Sequence, residues 1–148
     1  MQIREILDQK KAHLDLLLLA DEQENMIDRY LECGALFVLE DPVRKAVCVV
    51  TREGPQTYEL KNLAVEPSAQ RMGYGRKMVE FIWKHYPDCK TLMVGTGESP
   101  ATLCFYRACG FVPSHRVKHF FRDHYDHPIL EDGILLDDMI YLKRTRDL

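Results

Sequence analysis

Between Leu60 and Tyr86 the chain passes from strand to helix across two glycines, and this short stretch limits the possible folds more than any other. Leu60 to Val65 is a compact apolar run that stops at Glu66-Pro67. Beyond Gly75, the residues Val79, Ile82, Trp83 and Tyr86 recur at i, i+3, i+4 and i+7, which predicts a helix from about Met72 to Tyr86. A helix N-terminus leaves backbone N–H groups unpaired and carries a partial positive charge. The loop Gln70-Arg71-Met72-Gly73-Tyr74-Gly75 is therefore a candidate anion cradle. It lacks both the third glycine of a dinucleotide fingerprint and the G-K-[ST] of a nucleotide P-loop.

The elements around this stretch follow from the same periodicities. Gln2 to Cys33 is helical in character, with Asp21 as a plausible cap between segments, and Met1 to Ile6 is too short and charged to predict a strand. Ala35 to Leu39, Lys45 to Thr51 and Thr57 to Val65 are β-rich runs joined by short turns, an antiparallel meander. Thr91 to Val94 is a further strand, and a strand-helix-strand crossover of this length implies parallel pairing. Ser99-Pro100 opens a helix that buries Ala101, Cys104, Phe105 and Ala108 and stops at Gly110. Phe111 to Phe121 and Ile134 to Leu142 read as two final strands joined by the polar segment Arg122 to Gly133.

With 148 residues and no linker or repeat, residues 1–148 are expected to form a single domain. Hydrophobic residues at 46% and charged residues at 29% are ordinary globular values, and the formal net charge of −3 offers no basic surface for nucleic acid. Lys143, Arg144 and Arg146 read as a solvated tail. The apolar run Leu16 to Ala20 is too short to span a bilayer and no signal pattern is seen, so the expectation is a cytoplasmic protein with no membrane partner. Five cysteines without a C-x-x-C pair suit reduced thiols in the core. His115 and His119 are four apart, a ligand spacing for a helix rather than for the strand expected there, so no metal is expected.

The run Q-x-x-G-x-G from Gln70 to Gly75, preceded by Leu63-Ala64-Val65 and a proline, resembles the central motif of the GNAT superfamily of acyl-coenzyme A dependent N-acetyltransferases. A second stretch, Phe105-Tyr106-Arg107-Ala108-Cys109-Gly110-Phe111, resembles the late Y-x-x-x-G-F element of that superfamily. The predicted element order matches the superfamily over nearly the whole chain, except that many members begin with a strand. The resemblance implies a mixed α/β fold: a central, mostly antiparallel sheet with one parallel, splayed strand pair and helices on both faces. It also implies acetyl-coenzyme A (acetyl-CoA) as cosubstrate. Main-chain groups of Leu63 and Val65 would hold its acyl end, and an N–H near Leu63 would polarise the thioester. Amides of Arg71, Met72, Gly73, Tyr74, Gly75 and Arg76 would hold the pyrophosphate, with Gln70 at the motif's Gln/Arg position. Ser99 stands where many members place a cofactor-binding asparagine.

For catalysis the resemblance points to Tyr106 as the acid that protonates the departing thiolate. Glu59 matches the position of a catalytic glutamate in some members, and strand alternation places Glu59, Lys61, Leu63 and Val65 on one face. Either Glu59 or a water relay would serve as base. The expected reaction is direct attack by a primary amine of a small molecule or peptide in a ternary complex, with a non-catalytic acyl-CoA sensor as the alternative. Edge strands at the C-terminal end leave a homodimer open.

Overall fold

The computed structural model describes residues 1–148 in full. Seven strands form one sheet: β1 (Gln2–Ile6), β2 (Ala35–Glu40), β3 (Arg44–Gly54), β4 (Thr57–Val65), β5 (Thr91–Gly97), β6 (Val112–Val117) and β9 (Met139–Thr145). Their order across the sheet is β1-β2-β3-β4-β5-β9-β6, antiparallel throughout except for the parallel pair β4–β5. A separate hairpin pairs β7 (Leu130–Glu131) with β8 (Ile134–Leu135). The helices are α1 (Leu14–Ala20), α2 (Glu24–Ile27), α3 (Tyr74–His85), α4 (Pro100–Ala108) and α5 (Phe120–His124).

Strand β2 from Ala35 to Leu39 and the middle of β3 from Ala46 to Val50 are continuously apolar because both sheet faces are covered there. On one face, α3 inserts Met78, Val79 and Ile82 into a core that includes Phe37, Cys48, Leu60 and Leu92. On the other, Leu16, Leu17, Ile27 and Leu31 pack on Leu36, Val38, Val47 and Val49. The alternating strand faces thus sort the hydrophobic residues into two layers.

Several local expectations are corrected. Gln2–Ile6 is a strand, pairing with β2 from Gln2↔Glu40 to Ile6↔Leu36. Ile6 is buried under the helical layer, and the Arg4 guanidinium holds the Glu40 carboxylate at 2.8 Å, so the charges lie on a sheet edge where they cost little. The strand after Gly110 ends at Val117, and Phe120–His124 is helical. Ile134–Leu142 is broken into β8 and β9.

Arg144 and Arg146 are not a solvated tail. Their guanidinium groups lie 4.5 and 3.9 Å from the centroid of the Trp83 ring. Arg146 donates to the carbonyls of Trp83, Tyr86 and Cys89, where α3 ends, and Arg144 to Glu80 and the Cys109 carbonyl. Cations at a helix C-terminus satisfy its unpaired carbonyls. Cys48, Cys89 and Cys109 are buried, whereas Cys33 and Cys104 are exposed.

At the N-terminal side, Lys10 is buried and its Nζ donates to the carbonyl oxygens of Leu31, Glu32 and Gly34 at 3.0, 3.2 and 2.7 Å. This contact ties the segment after β1 to the turns that follow α2.

Candidate active site

The parallel pair β4–β5 is hydrogen-bonded only from Thr57↔Thr91 to Leu60↔Val94. Beyond Leu60 the two strands diverge, leaving the β5-side edge of β4 open from Lys61 to Val65. Glu66 donates its N–H to the Lys45 carbonyl on the β3 side. Successive residues of a strand turn their main-chain groups to opposite edges, so Leu63 and Val65 present theirs to the open side. The Gln70 side chain donates to the Val65 carbonyl at 3.3 Å and closes the far end of this edge.

The β3–β4 ladder contains a bulge: Val49 pairs with Asn62 and Val50 with Leu60, leaving Lys61 as the extra residue. A bulge reverses the in-out parity of a strand. Leu63 and Val65 therefore share the α3-side core with Tyr58 and Leu60. Glu59, opposite Thr51, falls on the α1-side face with Asn62 and Ala64. This corrects the expected placement of Glu59 beside Leu63 and Val65. Its carboxylate pairs with Lys61 at 3.0 Å, and it does not line the cleft described next.

The divergence opens into a cleft of about 780 Å³ lined by β4 from Leu60 to Val65, the α3 loop and one side of α4. In the loop, Arg71 (φ 65°) and Gly73 (φ 87°) are both left-handed. Such alternation makes successive backbone N–H groups converge on a concave anion site. Gly73 caps α3 without any side-chain bond, so the first-turn amides of Tyr74, Gly75 and Arg76 have no partner within the helix. A Cβ on Gly75 would lie 3.1 Å from the Phe105 ring, and its absence lets α3 start close against α4. Gln70, Arg71, Gly73, Tyr74, Gly75 and Arg76 line the cleft with Leu63 and Val65, while Met72 is 61% exposed and lies outside its lining.

On α4, Tyr106 is buried, packs edge-on against Phe105 and Phe111, and lines the same cleft. Burial, with the neighbouring Cys109, Cys48 and Glu131, raises its phenol pKa well above the ordinary value and keeps it protonated. The face of α4 expected to be buried is not: Ala101, Cys104 and Ala108 are exposed and Phe105 is half-buried, while Tyr106 and Cys109 are the buried positions. Ser99 is fully buried, does not line the cleft, and its Oγ has no hydrogen-bond partner.

The other end of the cleft is framed by Leu19 to Glu22, at the end of α1, and by the segment from α5 to β9. Asp21 stands at the C-cap of α1, its N–H bonded to the Leu17 carbonyl, and its carboxylate is the centre of a network. Tyr125 donates to its carboxylate at 2.6 Å and Tyr30 at 2.8 Å, and Asn62 Nδ2 donates in turn to Tyr30 at 3.1 Å and to the Leu17 carbonyl at 3.0 Å. Burial raises the Asp21 pKa against the opposing pull of these tyrosines. Asn62, Tyr125 and Glu131 were not singled out in the sequence; only an asparagine amid an otherwise apolar strand end offered a signal, and Glu131 lay in a segment read as polar loop.

Residues 32–113 match the family model described as an acetyltransferase (GNAT) domain. The chain belongs to the GNAT family. This GNAT acetyltransferase is 39% identical over 132 residues to the uncharacterized N-acetyltransferase YvbK of Bacillus subtilis (strain 168), covering 86% of this chain and 85% of that protein. A GNAT acetyltransferase from Elizabethkingia anophelis, solved with acetyl-CoA bound, superposes with a TM-score of 0.91 at 32% identity over 98% of this chain and 97% of that one. A Bacillus subtilis acetyltransferase in complex with CoA superposes with a TM-score of 0.87 at 34% identity over 98% of both chains. The GNAT fold accounts for the mixed sheet with its single parallel pair, and the chain is an acyltransferase.

Proposed function

We propose that this GNAT chain transfers the acetyl group of acetyl-CoA to a primary amine by direct attack within a ternary complex. One observation carries the reading: the open β4 edge, the uncapped start of α3 and the Tyr106 phenol all line one continuous cleft. Acetyl-CoA would supply an activated thioester carbonyl. The exposed main-chain groups of Leu63 and Val65 would pair with the amides of its pantetheine arm, and an N–H near Leu63 would stabilise charge on the carbonyl oxygen. Backbone N–H groups from Arg71 to Arg76 would hold the pyrophosphate, with the Arg71 and Arg76 guanidinium groups adding charge. Tyr106, kept protonated by burial, would give its proton to the leaving sulfur. With Glu59 ion-paired to Lys61 and absent from the cleft lining, the ammonium of the acceptor would give its proton to a water relay leading to solvent before attack.

Two measurements test the reading. CoA at about one hundred times its Kd stabilises a folded binder by about 2.7 kcal/mol, so the melting temperature should rise by roughly 5–10 °C. Free thiol should then be released from acetyl-CoA only when an amine is added. Stabilisation without thiol release over a panel of amines would favour a sensor, and absence of stabilisation would remove the donor site altogether.

A further inference from the structure

Two residues that line the cleft at its end away from the α3 loop each hold a buried acceptor without a donor: Asn62 Oδ1 and Glu131 Oε2. Asn62 is only 3% exposed and cannot turn to satisfy itself, because its Nδ2 is committed to Leu17 and Tyr30. Native proteins rarely leave such groups unpaired, and orphans just beneath a cleft wall call for a donor from outside the chain, reached when a ligand shifts these side chains. The charges at this end have one sign. Asp21, Glu22, Glu131 and Asp132 line it with no basic residue from the same segments. The basic residues of the cleft are elsewhere: Lys61 is paired with Glu59 and Glu53, and Arg71 and Arg76 flank the α3 loop.

The remaining surface there is apolar. Phe121, Ile129 and Leu136 form a small cluster of their own, with Tyr125 and Met139 packed against it, and Leu19 and Leu130 stand 54% and 58% exposed at the rim. A polycation longer than one ammonium would have to lay its further charges along this apolar cluster rather than on the carboxylates. Resting on the acetyl-transfer reading above, we infer that the acceptor enters as a primary ammonium on an apolar, aromatic-sized body, its N–H groups received by Glu131 Oε2 and Asn62 Oδ1. Glu131 is then the residue that selects a cation, and the Phe121 cluster the surface that selects its body.

Titration calorimetry on the CoA-loaded protein tests this with 2-phenylethylamine, cationic at neutral pH, its neutral analogue 2-phenylethanol, and spermidine. The ammonium should bind at least about tenfold tighter than the alcohol. Glu131→Gln should bring it down to the level of the alcohol, with the Kd for CoA unchanged as the check on folding, since the Glu131 side chain makes no bond that the fold needs. Equal ammonium affinity in the variant and the parent, equal affinity for ammonium and alcohol, or no ammonium binding overturns the role of Glu131. Tighter binding of spermidine than of 2-phenylethylamine overturns the apolar class. Should CoA fail to bind, the donor-site reading falls, while the same titrations on the unloaded protein still decide the role of Glu131.

Discussion

Tyr106 sits where burial opposes ionisation, and the thiolate it would protonate is a far weaker base than its own phenolate; the benefit lies in having the proton in place as the C–S bond breaks. Tyr106→Phe should lower kcat by about 10²-fold or more and leave the Kd for acetyl-CoA within about twofold, since the ring packing survives and only the proton is lost. Steady-state kinetics beside equilibrium binding make this split visible, and an unchanged kcat would falsify the acid role. Asp21 supports a pH prediction. Its carboxyl pKa is raised by burial above the ordinary 3.8, so the folded chain binds that proton more tightly than the unfolded one. The stability it contributes is complete below 3.8 and is lost as pH rises through the higher folded value. Asp21→Asn lacks this slope. In melts from about pH 4 to about pH 7, the melting temperature of the variant minus that of the parent should therefore rise with pH; a flat or falling difference would contradict it. Tyr106 was legible because a tyrosine, a glycine and a phenylalanine at fixed spacing resemble a known element. Asn62 and Glu131 were not, since each becomes unusual only when the fold strips it of donors.

At the scale of elements, the β4–loop–α3 unit concentrates the donor-site features, and Gly73 is its most exacting position. No heavy atom lies within 4 Å of where its Cβ would be, so the need for glycine comes from φ alone. Gly73→Ala should cost about 1–2 kcal/mol and roughly 3–6 °C in melting temperature, and it should weaken CoA binding by disturbing the N–H groups after it. Gly54→Ala is the control, because Gly54 has open space and no positive φ; equal effects of the two on CoA affinity would contradict the cradle. The strands of the meander and the helix after Gly75 were legible from apolar periodicity. The Lys61 bulge was not. Nothing in Glu59-Leu60-Lys61-Asn62-Leu63 marks an extra residue, and one unpaired position was enough to put Glu59 on the wrong face. Strand β1 escaped notice because an edge strand needs little apolar content of its own when β2 supplies the ladder. Helix α5 has five residues, too few for a period to show.

For the whole molecule, the sheet is a partition. One layer, built around α3, meets the end of the cleft at the α3 loop, and the other, built around α1 and α2, meets the end where Asn62 and Glu131 lie. The splay of β4 from β5 is the passage between them, and β9 makes it tolerable by pairing with β5 from Thr91 to Gly97. Mixed topology followed from element order, whereas the passage depends on where a ladder stops, which no residue announces. No helix is long and apolar enough to cross a membrane. The α1–α2 layer is held at its base by Lys10, the one lysine that is buried. An amine surrounded by three carbonyls has no lone pair to offer a reagent while the layer is closed. Mild treatment with acetic anhydride should therefore label exposed lysines such as Lys90 and Lys118 first and spare Lys10 until denaturant opens the layer, as peptide mass mapping would register; early labelling of Lys10 would contradict the contact. An acetyl group found on residue 10 would thus report that the N-terminal layer had come undone before the reagent arrived.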